Sequence, residues 1–112
     1  MSLEFTTHGT TGVIAVTGSI DALNAGELTH LLSERIAGGQ SRLVLDLEKM
    51  DFMSSAGLRL LLQAAKDARQ KGGDLRLSGA SPALEKMLKL SGFTSILKVF
   101  LTIDQAVDSY AT

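Results

Sequence analysis

The feature that most restricts this chain is a regular alternation of short strand-like runs with longer stretches of helical periodicity. Val13-Ile14-Ala15-Val16-Thr17-Gly18 reads as a buried strand, because β-branched side chains suit a pleated surface better than a helix. The preceding Glu4-Phe5-Thr6-Thr7 pairs with it across the Gly9 to Gly12 turn as an opening hairpin. From Leu23 the apolar positions Leu23, Leu28, Leu31, Leu32 and Ile36 recur at helical spacing, and Gly38-Gly39 closes this first helix. Arg42 to Leu47 is a compact strand, followed by a short polar loop and a long helical pattern from near Ser54. There Leu58, Leu61, Leu62, Ala65 and Ala68 form the buried face, while Lys66, Asp67, Arg69, Gln70 and Lys71 face solvent before Gly72-Gly73 ends the helix. Leu75-Arg76-Leu77-Ser78 alternates as another strand, and Ser81-Pro82 opens a helix through Leu84, Met87, Leu88 and Leu90. Ser91-Gly92 ends that helix, Ile96 to Leu101 gives a last strand, and Thr102 caps a terminal helix through Ala106, Val107 and Tyr110.

Strands that alternate with helices need crossover connections, so the expected fold is α/β, a mixed and mostly parallel sheet of about five strands covered by about four α-helices. The helices are expected either on one face or on both, and four suffice to cover one face. Residues 1–112 are expected to form a single domain, since this length leaves no room for a second. An apolar content of 45% supplies a core without metal or disulfide staples. The absence of cysteine excludes a disulfide framework, a thiolate metal site and a cysteine nucleophile. No apolar run approaches the ~20 residues needed to cross a bilayer, and Met1-Ser2-Leu3-Glu4 lacks the basic and apolar regions of a secretory leader. A cytoplasmic location without membrane insertion is therefore expected. Eleven basic and twelve acidic residues are dispersed along the chain, so no basic stripe exists to neutralise nucleic-acid phosphates. The expected partner is another protein, and the expected oligomeric state is a monomer.

The segment richest in chemistry runs from Asp46 to Arg59, where Ser54 and Ser55 stand at a strand-to-helix junction beside small residues. A helix N-terminus presents unpaired N–H groups and a partial positive charge, so an anion attached to Ser55 can be held there. A phosphoserine fits chemically. Capping is the plainer role for Ser54 or Ser55, contributing about 1 kcal/mol, and the two roles can coexist on neighbouring serines. Asp21 has the position of a cap for the first helix.

Other chemistries find less support. His8 and His30 are the sole imidazoles and lie far from the serines in sequence, and the serine motif is not G-x-S-x-G, so no enzyme is expected. Gly9-Thr10-Thr11-Gly12 precedes a strand and Gly72-Gly73 follows a helix, which makes both turns rather than phosphate cradles. Asp46, Glu48 and Asp51 read as an acidic loop rather than a Mg²⁺ site. No cofactor and no metal are expected.

Phe52-Met53-Ser54-Ser55-Ala56-Gly57-Leu58 resembles the phosphorylation motif of bacterial anti-anti-sigma factors of the STAS family, Asp-Ser-(Ser/Thr/Ala)-Gly-Leu. The resemblance extends to Gly18-Ser19-Ile20-Asp21, Leu43 to Leu47, Gly72-Gly73, Ser81-Pro82 and Leu90-Ser91-Gly92-Phe93. It implies the STAS fold and the role of an anti-sigma-factor antagonist. By that resemblance Ser55 accepts phosphate from a partner that is both anti-sigma factor and serine kinase, of the histidine-kinase-like ATPase type. The unphosphorylated form binds the anti-sigma factor and frees its sigma factor, and a PP2C-type phosphatase restores that form. Ser54 stands where aspartate is usual, which makes it the alternative acceptor. The implied partner-binding residues are Asp21, Ser54, Ser55, Ala56, Gly57, Leu58 and Arg59, on a surface that the first helix and Met53 to Leu62 supply. Met50 and Met53 are either adaptable contacts on it or core. Arg59, a cation in the first turn, opposes the helix dipole. It is expected to pair with Asp51 or Asp46, to meet the kinase or a phosphate on Ser55, or to lie solvated. The rival reading is a non-phosphorylated STAS binding module, such as a subunit of a lipid-transport or stress-signalling complex.

Overall fold

The computed structural model describes residues 1–110. Its strands are β1 (Ser2–His8), β2 (Thr11–Ile20), β3 (Arg42–Asp46), β4 (Met50–Met53), β5 (Asp74–Ser78) and β6 (Val99–Phe100). Its α-helices are α1 (Ala25–Ala37), α2 (Ser55–Gln70), α3 (Pro82–Leu90) and α4 (Ile103–Asp108). The strands form one mixed sheet in the order β1-β2-β3-β5-β6, with β4 beside β2. The β1–β2 hairpin is antiparallel and the remaining pairings are parallel, as crossover helices require.

The two-residue period of the strands divides the core between the faces of the sheet. Ile14, Val16, Leu43, Leu45, Leu75 and Leu77 meet Leu28, Leu32 and Ile36 of α1, Leu58, Leu61, Ala65 and Ala68 of α2, and Leu84 and Leu88 of α3. Val13 and Val44, at the intervening positions, pack instead with Ala106 and Tyr110, against which Ile103 and Val107 of α4 lie. Three helices therefore cover one face and the fourth covers the other, a split that helical periodicity by itself does not specify.

The expected α/β fold stands, with one strand more than anticipated. The segment read as a polar loop before α2 contains β4, whose Met50 and Met53 are 5% and 1% exposed. Pairing of β2 with β3 ends at Ala15 and pairing with β4 begins at Gly18, which takes a positive φ of 94°; the register of the β2–β4 pair shifts between Gly18 and Ser19. The last strand is shorter than Ile96 to Leu101: a 3₁₀ turn covers Phe93–Ser95, and pairing with β5 is limited to Val99 and Phe100.

Ser81 and Thr102 cap their helices as expected, accepting hydrogen bonds from Leu84 N–H at 3.2 Å and Gln105 N–H at 3.1 Å. At the opposite rim of the sheet from the serines, the Tyr110 hydroxyl lies 2.7 Å from the carbonyls of both Leu43 and Asp74 and accepts from Leu43 N–H at 3.3 Å. Arg76 stacks on its ring, 4.0 Å from the centroid.

Candidate functional site

The junction between β4 and α2 is built by a division of work between its two serines. Ser54 holds an extended backbone, with φ −76° and ψ 171°, and is the N-cap of α2: its hydroxyl accepts from Gly57 N–H at 3.3 Å. Its own N–H donates to Ile20 O at 2.9 Å, which ties the junction to the end of β2. Ser55 is the first residue of the helix; its side chain is exposed, and its hydroxyl makes no hydrogen bond among the described residues. One serine orders the turn, and the other presents an unengaged oxygen to solvent.

Gly57 explains how the first turn can approach the sheet so closely. A Cβ built there would lie 2.7 Å from Met53 Cγ and 3.0 Å from Ile20 Cγ2. Leu58 follows it into the core and is 7% exposed, whereas Ala56 is half-buried. Gly57 and Leu58 therefore position the site from within.

Beside the serines, the segment after β2 forms a compact Asx turn. Asp21 Oδ1 accepts from Leu23 N–H at 2.9 Å and Asn24 N–H at 3.0 Å, and Asn24 Oδ1 accepts from Asp21 N–H at 2.9 Å. Asp21 thus does not cap α1. Asn24 occupies that position, and its side chain bonds the loop rather than the helix. The hydrogen bond from Ser54 N–H to Ile20 O brings the Asp21 turn and the serine turn to one end of the sheet.

This arrangement leaves two apolar side chains in water. Leu23, expected on the buried face of the first helix, stands before it in the Asx turn and is 96% exposed. Phe52 precedes the buried Met53 on β4 and is 55% exposed. Sequence reading missed both residues. A two-residue period would not have found Phe52, because Asp51 and Phe52 are both exposed and the strand itself had not been recognised. Met50 and Met53, considered as contacts, belong to the core.

Arg59 falls at the fifth position of α2, just beyond the first turn, and its side chain is exposed. It pairs with neither Asp51 nor Asp46, and among the described residues it has no hydrogen bond or ion pair. Asp46 Oδ1 instead accepts from Glu48 N–H at 3.1 Å. Asp46 and Glu48 border an open cavity of about 520 Å³ together with Gly79, Thr102 and Asp104. No group of three or more metal-ligating side chains is gathered among the described residues. His30 pairs with Glu34 at 3.4 Å on the surface of α1, and no hydrogen bond joins either histidine to either serine. No helix among the described residues is long and apolar enough to cross a membrane.

The family model for the STAS domain matches residues 2–106. BtrV of Bordetella bronchiseptica, which bears the name of an anti-sigma factor antagonist, is 35% identical over 100 residues, covering 89% of this chain and 86% of that protein. Among solved structures, an anti-sigma factor antagonist of Thermotoga maritima superposes with a TM-score of 0.92 at 18% identity, covering 98% of this chain and 95% of that one. The Bacillus cell fate determinant SpoIIAA in its phosphorylated form superposes with a TM-score of 0.75 at 22% identity, covering 97% and 99% of the two chains.

Proposed function

The chain belongs to the STAS domain family, and from that premise we propose that it is an anti-sigma-factor antagonist switched by phosphate on Ser55. Unphosphorylated, it binds an anti-sigma factor that is also a serine kinase of the histidine-kinase-like ATPase type, and the sigma factor is released. The kinase then transfers the γ-phosphoryl group of ATP to Ser55 Oγ. The bond from γ-phosphorus to the ADP oxygen breaks, the Oγ–P bond forms, and the hydroxyl proton passes to a base on the kinase. A PP2C-type phosphatase reverses the modification.

The observation that carries this reading is the exposed and unengaged hydroxyl of Ser55 beside a capping Ser54. A cap already satisfied by the neighbour leaves Ser55 free to enter a kinase active site without unfolding the helix. Around it, Asp21, Leu23, Phe52, Ala56 and Arg59 offer a mixed apolar and charged surface of the kind that binds protein. Phosphorylation adds about −1.5 to −2 charge within that surface. A loss of only ~3 kcal/mol in binding lowers affinity more than a hundredfold.

The test is incubation with ATP and the serine kinase encoded nearest to this protein, with phosphate mapped by mass spectrometry in the wild type, Ser55→Ala and Ser54→Ala. The expected result is phosphate on Ser55, lost only in Ser55→Ala and accompanied by weaker kinase binding. A folded protein that no cellular serine kinase modifies overturns the switch and favours a constitutive binding module.

A further inference from the structure

We infer that Arg59 is the intramolecular partner of a phosphate on Ser55, pairing with it along the exposed face of α2 and fixing its position over the first turn. The inference rests on the proposed modification of Ser55 and adds how this chain itself receives the charge.

Ser55 and Arg59 are four residues apart on one helix, and both are exposed. Long helical side chains lean toward the N-terminus, so the guanidinium of residue i+4 reaches back over residue i. An anion placed N-terminal to a cation at this spacing is the more favourable of the two orders. Arg59 has no competing partner among the described residues. The first turn of α2 also contains no acidic residue, so the positive end of the helix and Arg59 are an uncompensated pair of like sign. A phosphate on Ser55 would relieve both, and the planar guanidinium can meet two of its oxygens at once.

The other charges near this end of the sheet cannot substitute. Asp21 in the Asx turn, Glu27 in the first turn of α1 and Asp51 on β4 are acidic and would raise the second pKa of a phosphate. His30 on α1 is paired with Glu34. Lys49 precedes β4, roughly 15 to 20 Å from Ser55 along an extended strand.

Phosphoserine placed at position 55 during translation makes the test independent of any kinase. The probe is a ³¹P NMR titration of the intact phosphoprotein and of its Arg59→Gln variant. The expected result is a second phosphate pKa lower in the wild type than in R59Q by roughly 0.15 to 0.4 units. The separation should shrink in high salt. Unphosphorylated R59Q should melt no lower than the wild type, which excludes a purely structural role. Coincident titration curves overturn the inference, whatever the kinase does. Separated curves with no enzymatic phosphorylation of Ser55 leave the pairing standing and remove the switch.

Discussion

At the scale of single residues, Ser54 and Ser55 are chemically alike and are distinguished by one hydrogen bond. The Ser54 hydroxyl satisfies Gly57 N–H, one of the otherwise orphaned donors at the start of α2. Ser54→Ala should therefore cost about 1 kcal/mol of stability, whereas Ser55→Ala should stay within roughly 0.5 kcal/mol of the wild type. Urea unfolding of the two variants checks this, and equal losses would contradict the assignment of the cap. The pair of hydroxyls at a helix start was legible in the sequence, as was their double use for capping and anion binding. Which hydroxyl did which was not, because that depends on the backbone angles of Ser54 and on the distance to Gly57. Asp21 teaches the same point. Its spacing allowed a helix cap, but the Asx turn moves the first helical residue to Ala25 and leaves Leu23 in water.

At the scale of elements, the long periodic segments were readable because their burial repeats locally, and β4 was not. Met50-Asp51-Phe52-Met53 spans only four residues and does not alternate cleanly. It becomes a strand because the bulged end of β2 offers it a partner, a contact between segments some thirty residues apart that no local pattern contains. The packing of α2 against that strand gives a test. In an open helix Gly→Ala adds stability, but at Gly57 the new methyl would press on Met53 Cγ and Ile20 Cγ2. Gly57→Ala should lose about 1–2 kcal/mol by overpacking. A variant that unfolds at the same or higher urea concentration would mean that β4 and α2 are less closely joined than their geometry states.

At the scale of the whole molecule, the two faces of the sheet are held by different means. Three helices bury most of the core on one face, whereas α4 and Tyr110 cover the other with a small apolar cluster and one buried phenol. The Tyr110 hydroxyl joins the segment after α4 to β3 and β5 through Leu43 and Asp74. Tyr110→Phe removes a partner from buried backbone groups and should cost about 1–3 kcal/mol near neutral pH. Burial, reinforced by the Asp74 carboxylate, raises the phenol pKa well above its ordinary value of 10. Below that value both folded and unfolded chains hold the proton, so the contribution is fully present. Above it the unfolded chain releases the proton while the folded chain keeps it, and stability falls on the order of 1 kcal/mol per pH unit. The advantage of the wild type over Tyr110→Phe should therefore narrow as pH rises past 10. Other titrating groups act alike in both proteins and cancel in the difference. Urea unfolding of the pair between pH 8 and 11 checks this, and parallel stability curves across that range would show that the phenol does not hold its proton through the fold.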